Sequence, residues 1–332
     1  MGMALKVLLV TTWGTACGIA SHSAQLKQAV ETADPQITII PSVDALDPMH
    51  HEVRSLIHDA AVSGIDAVTL NYHLALHSRW QPDRVRELKD AGYPVVIIAH
   101  DTIGELPPTP LFRELCDLAH AFIVHEPCQG LEKAIYWRMG VPEYEGPELF
   151  PLYSRSRPVL GTLGFDFPWK NFDRLAELTA SVGWGFCVVA PSLTPERTAE
   201  LRSKNPWLTI HLNLPDNTVI AALRGCDATA FCFTCANSGQ SASILYGLAA
   251  HKPVIAFSTC RQMRSLWELD RWGTQRIQWC ETFEQVKDRL VYRPIQRLDP
   301  GIVALAEQES WARLGRKYAE LYRSLVERRP TP

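Results

Sequence analysis

Short, almost wholly apolar runs recur along this chain with amphipathic stretches between them. That alternation restricts it to parallel α/β sheets rather than helical bundles or β-sandwiches. A first series of predicted strands covers residues 6–12, 37–43, 67–72, 94–100 and 121–125, with helices between them that include residues 84–91 and 131–138. A second covers residues 159–164, 185–190, 208–212, 228–233 and 253–258, and ends at 276–279. Runs apolar on both sides belong to strands covered on both faces. At 332 residues the chain has room for two such domains, each with its own core. The Pro- and Gly-rich stretch 141–152 is the predicted linker, which gives domains at 1–151 and 152–304 and a terminal segment at 305–332. Residues 305–326 read as one long helix with Trp311, Leu314, Tyr318, Leu321, Tyr322 and Leu325 on one face.

Composition removes several function classes. With 33 basic against 36 acidic residues there is no bulk charge signal for nucleic acid or an anionic membrane. No apolar run approaches the ~20 residues of a spanning helix, so any membrane contact is peripheral. Leu8, Leu9 and Val10 imitate the core of a signal peptide, but Trp13 and Gly14 interrupt it, and the run reads as a first strand. Nine cysteines without a repeating framework fit free thiols in a reducing, cytoplasmic setting. Cys232 and Cys235 form a lone Cys-x-x-Cys with no second pair at zinc spacing, so they read as packing residues and no metal site is expected.

The most specific chemistry lies in residues 234–257. Ser238, Gly239, Gln240 and Ser241 form a small polar turn ahead of a helix whose apolar stripe is Ile244, Leu245, Leu248 and Ala249. His251, Lys252 and Pro253 stop that helix, and Val254, Ile255, Ala256 and Phe257 read as a buried strand. Free backbone N–H groups and the positive end of the helix dipole make such a turn a phosphate site. An ordinary serine N-cap has the same sequence appearance.

Tyr246-Gly-Leu-Ala-Ala-His-Lys-Pro-Val-Ile-Ala256 resembles the Glu-Ala-Met-Ala-x-Gly-x-Pro-Val-Ile-Ala signature of the large retaining glycosyltransferase family four group, which has the GT-B fold. The resemblance implies two facing Rossmann-like domains with a cleft between them. The second domain would hold a nucleotide-diphosphate sugar, UDP- or GDP-linked. The first would hold a sugar, lipid-linked or small-molecule acceptor. It further implies transfer to an acceptor hydroxyl, with retention and without a metal or any cofactor beyond the sugar nucleotide. The last helix, with Ser310-Trp311 followed by Tyr318 and Tyr322, is similar to the family's ending that crosses back to the first domain. Paired glutamates of the family are replaced by Ser238 and Tyr246. That substitution keeps open a catalytically silent binder of the same fold, and also a sugar-nucleotide epimerase using Asp101, Glu126 and Asp166.

Other candidates follow from position. Open α/β sheets bind ligands at the carboxyl ends of their strands, where His100-Asp101 and His125-Glu126 fall. A histidine there trades a proton near neutrality, and Asp101 or Glu126 can orient it or act as a base. A capping Asp and a helix start are the plain alternatives. The glycines after the first strand, Gly14 and Gly18, lack the three-glycine dinucleotide spacing, which argues against a nicotinamide site. In the resembling family this loop lies beside the donor diphosphate, which brings in Gly18 and Ile19. Gly164 opens the loop that delivers Lys170, the family's basic residue for the leaving diphosphate. Its companion arginine has no match, since Thr162-Leu163 stands there. Pro191 and Asn213 fall where the family receives the nucleotide base.

Overall fold

A computed structural model describes residues 4–14, 17–42, 53–73, 82–100, 109–151, 156–235, 240–271, 276–292 and 298–328. The chain forms two compact units. Met1–Gly140, Ser238–Gln240 and Trp311–Pro332 make the first, and Val141–Asn237 with Ser241–Ser310 the second.

The first unit holds a parallel sheet of six strands, β1 Leu5–Val10, β2 Ile37–Ser42, β3 Ala67–Tyr72, β4 Val95–Ala99, β5 Ala121–Val124 and β6 Ala134–Tyr136, in the order β2-β1-β3-β4-β5-β6. Alternate residues feed separate cores. Val95, Ile97 and Ala99 of β4 enter one, while Val96 and Ile98 enter the other, which Trp311, Leu314, Tyr318 and Tyr322 complete. β6 corrects the helix expected at 131–138. Ala134 and Tyr136 pack on one core and Ile135 and Trp137 on the other, so the segment obeys the two-residue period of a strand.

The second unit carries β7 Val159–Leu163, β8 Gly185–Ala190, β9 Leu208–Leu212, β10 Ala228–Phe231, β11 Val254–Phe257 and β12 Gln278–Cys280, all parallel, in the order β12-β11-β10-β7-β8-β9. This is the doubly wound order, which reverses between β7 and β10. The division between units falls at Gly140–Val141, ahead of residue 151. The proline-rich stretch expected as a linker packs instead on the second unit, where Leu149 N–H donates to the Ala221 carbonyl at 2.9 Å. Its carbonyl approaches Gly225 so closely that a Cβ there would lie 2.1 Å away.

The single helix expected at 305–326 is two helices, Pro300–Gln308 and Trp311–Glu327. Asp299 caps the first by accepting from Gly301 and Ile302 N–H groups. At the break the Glu309 carbonyl accepts from Val141 N–H at 2.7 Å, and Ser310 bridges to Val141 as a strand does.

Asp270, wholly buried in the helix Arg264–Arg271, ties that helix to the last strand. One oxygen accepts from Ile277 N–H and Trp279 Nε1–H, both at 2.9 Å, and the other from Arg276 N–H at 2.9 Å and Nε–H at 3.2 Å. Asp270→Ala strands these donors and leaves Arg276 without its buried carboxylate. It is expected to cost roughly 3 kcal/mol or more in denaturant unfolding, with Asp270→Asn losing less because it keeps one acceptor oxygen.

Candidate functional site

Each unit assembles polar groups at the carboxyl ends of its strands. In the first, Thr11 follows β1, Asn71 lies in β3, His100 follows β4 and His125 follows β5, while the helix Gly18–Ala33 adds His22 and Ser23. Asn71, fully buried, is the hub. Its Nδ2 donates to Ser23 Oγ at 2.6 Å and lies 3.3 Å from His22 Nδ1, and its Oδ1 meets His100 Nε2. The Thr11 and Ser23 hydroxyls are 2.5 Å apart, and Ser23 Oγ donates to the Ile19 carbonyl at 2.7 Å.

The three imidazoles cluster. Ring centroids lie 4.7 Å apart for His22 and His100, 5.3 Å for His22 and His125, and 5.0 Å for His100 and His125, and Trp311 closes on His22 at 5.0 Å. His125 Nδ1 pairs with the Trp137 carbonyl at 2.8 Å. Burial drives the His22 pKa well below its ordinary value, and the neighbouring His125 adds to that shift. Burial takes His125 down to about 4 against the partial support of the Trp137 carbonyl. Both are neutral rings near pH 7, and among the described residues the buried Nε2 atoms of both have no hydrogen-bond partner. Glu126 is buried beside them in sequence. Gly18 opens the helix with free space where a Cβ would project, Ile19 is buried, and Asp101 lies outside the described residues.

In the second unit Lys170 is buried after β7. Gly164, at φ 149°, makes its room, since a Cβ there would sit 3.0 Å from Lys170 Cε. Lys170 Nζ donates to Ser243 Oγ at 3.1 Å and lies over the faces of Phe233, at 3.5 Å, and Trp169, at 4.8 Å. Burial lowers its pKa to about 7, with the Cys260 and Cys235 thiols opposing the shift. Ser243 stands in the first turn of the helix Ala242–Ala249, so the cation is anchored beside a helix N-terminus. Ser241 is that helix's N-cap residue, but its side chain makes no capping bond and its N–H donates to the Gln262 carbonyl at 3.1 Å. The ordinary serine cap is thereby ruled out for Ser241.

The other expected residues are dispersed. Gln240 groups with the first unit, where its Oε1 accepts from Met139 N–H at 2.7 Å. Ser238 and Gly239 lie outside the described residues. Pro191 follows β8, and Asn213 follows β9 at φ 50° with its N–H donating to the Ala190 carbonyl at 3.0 Å. Asp166 is bound by Arg197 at 2.7 Å and 3.2 Å, which removes it from the acids available to an epimerase. Sequence reasoning missed His22, Asn71 and Ser243. Asn71 carried a signal, an amide amid the apolar residues of a strand buried along its length.

No protein-family model and no curated protein sequence matches the chain. Solved structures do match by shape. AviGT4, a glycosyltransferase involved in avilamycin A biosynthesis, superposes with a TM-score of 0.62 at 13% identity, covering 98% of each chain. Anabaena Alr3699/HepE, crystallised with UDP and glucose, gives a TM-score of 0.65 at 14% identity over 96% of this chain and 100% of its own. Acinetobacter baumannii MurG gives 0.52 at 13% identity over 96% and 99%. The likeness shows the fold, the GT-B type with two Rossmann-like domains. Among the described residues no helix is long and apolar enough to cross a membrane.

Proposed function

We propose that the chain is a glycosyltransferase that moves a sugar from a nucleotide-diphosphate sugar to an acceptor hydroxyl. The observation that carries the reading is Lys170, a buried cation fixed beside a helix N-terminus at the strand-order reversal of the second unit, in a fold it shares with glycosyltransferases. Among the described residues no carboxylate pairs with Lys170; burying its ammonium so costs free energy, and an incoming diphosphate supplies the anion.

In the transfer, the bond between the anomeric carbon and the diphosphate oxygen breaks and the electron pair leaves with the diphosphate. Lys170 and the N–H groups at the start of the helix Ala242–Ala249 stabilise that charge, so the leaving group needs no metal on this account. The phosphate-turn reading of the sequence assigns Ser238, Gly239, Gln240 and Ser241 to the diphosphate, Gly164 admits Lys170, and the family resemblance assigns Pro191 and Asn213 to the base. The family resemblance adds Gly18 and Ile19 to the donor residues. The acceptor oxygen bonds to the anomeric carbon and its proton passes to a base, His100, whose Nε2 is held by Asn71 Oδ1, with Asp101 or Glu126 as the alternative base. The family resemblance implies retention and a UDP- or GDP-linked donor, and HepE was crystallised with UDP and glucose.

Tyr246, buried where the family places its second glutamate, supports a second reading in which the chain binds the sugar nucleotide and transfers nothing. Thermal unfolding with UDP-, GDP-, ADP- and dTDP-sugars tests the site, because a ligand bound only by the native state stabilises by RT ln(1 + [L]/Kd). A selective rise in Tm with one nucleotide is expected. No rise with any member would remove both readings. A rise without nucleoside diphosphate release in the presence of an acceptor panel would leave the silent binder.

A further inference from the structure

We propose that His22, His100 and His125 form a binding site for a transition-metal ion of the zinc type. One ring nitrogen from each lies within 4.8 Å of the others, contributed by three separate elements at the carboxyl ends of β4 and β5 and the helix after β1. The donor set is all imidazole, which suits Zn2+, Co2+, Ni2+ and Cu2+ and does not suit Mg2+ or Ca2+. Metal–nitrogen bonds of about 2.0–2.1 Å bring donors within roughly 4.2 Å of one another, so small side-chain rotations close the site.

The hydrogen bonds around the rings are those of an outer shell. With Nδ1–H donating to the Trp137 carbonyl at 2.8 Å, His125 carries its lone pair on Nε2, which is buried and unpartnered. Backbone carbonyls commonly orient metal-bound histidines in this way. Asn71 Oδ1 meets His100 Nε2, which puts the His100 lone pair on Nδ1. His22 Nε2 is the second buried ring nitrogen of the cluster with no partner among the described residues. Plain packing of three histidines leaves these two atoms desolvated with nothing in return, a cost of about 1–3 kcal/mol for each, whereas an ion uses both.

One contact opposes binding and yields a sharper test. His22 Nδ1 lies 3.3 Å from Asn71 Nδ2, yet coordination through His22 Nε2 puts a proton on Nδ1. A carboxylate at residue 71 would accept from both His22 Nδ1–H and His100 Nε2–H, completing carboxylate–histidine–metal triads. Asn71→Asp is therefore expected to tighten metal binding by roughly tenfold. The site is independent of the transferase reading, because binding is measured on the resting protein. Loading engages the His100 lone pair, so an ion and acceptor deprotonation by His100 exclude one another.

The experiment titrates chelator-treated full-length protein with Co2+, read by visible absorption, and with Zn2+ in competition with a chromophoric chelator. Expected are one ion per chain, indifference to Mg2+, at least tenfold weaker binding in His125→Gln and in His100→Ala, and tighter binding in Asn71→Asp. Imidazole 15N spectra of the unaltered protein give a reading that needs no variant, with zinc shifting three histidines in slow exchange. Absence of stoichiometric binding to the unaltered protein overturns the proposal. So does binding that leaves these imidazole signals in place.

Discussion

Lys170→Met is expected to lower nucleoside diphosphate release from a nucleotide sugar by roughly 10²–10³-fold, the usual effect of removing one preorganised charge-stabilising group. The same substitution is expected to leave the fold as stable as before or more so. Methionine matches the lysine stem in length, and the aromatic faces of Phe233 and Trp169 that now receive an ammonium accept a thioether. Burial also holds the Lys170 pKa at about 7 in the folded chain, far below that of an exposed lysine. Between about pH 7 and the ordinary lysine range, the unfolded chain thus binds the proton that the folded chain has released. Folding stability therefore rises with pH across that window, and levels off below about pH 7, where both states hold the proton. Lys170→Met abolishes this slope. Donor affinity has the opposite sign, since a diphosphate binds the ammonium form. Kd for the nucleotide sugar is expected to weaken as pH rises above about 7 in the unaltered chain and to stay flat in the variant. A variant that turned over at the unaltered rate with saturating donor would end the assignment of Lys170.

Strand positions were legible because buried parallel strands announce themselves as apolar runs, and every observed strand except β6 overlaps an expected segment, β1 and β12 each running one residue past it. The segment 131–138 misled because its apolar residues satisfy either period until their partners are known. Only the two cores on opposite faces of the sheet decide for the strand. The break at Glu309 was invisible for a related reason, since the partner that captures its carbonyl, Val141, lies far away in sequence. His100 and Lys170 were legible as single residues at strand ends, but their surroundings were not. Asn71 reaches His22 and His100 across three elements, and Ser243 meets Lys170 from a distant helix. Cysteine spacing drew attention to Cys232 and Cys235, which are buried, while the three histidines share no sequence spacing that would reveal them.

Gly315→Leu is expected to release the last helix from the first unit. Gly315 faces the helix Gly18–Ala33, where a Cβ would lie 2.4 Å from the Ala29 carbonyl oxygen, 2.6 Å from its carbon and 2.9 Å from its Cβ. Two of those three atoms are backbone, so no rotamer change relieves the clash and the helices must separate. Separation uncovers Trp311, Leu314, Tyr318 and Tyr322, and breaks the 3.0 Å contact between the Tyr322 and Thr69 hydroxyls. Overpacking alone costs about 1–3 kcal/mol, and the lost burial adds to it, so a drop in Tm on the order of 10 °C is expected. Gly315→Ala isolates the cause. In a helix that made no close approach, alanine would stabilise by about 1 kcal/mol through propensity. Here the added methyl meets backbone, so the alanine variant is expected to melt below the unaltered protein, and the sign of its Tm change tests the packing. Arg323, which pairs with Asp34 at 2.7 Å beyond the C-terminal end of the opposing helix, cannot hold the contact once the glycine is filled. That pair is partly exposed and worth at most about 1 kcal/mol, less than the burial it would have to replace.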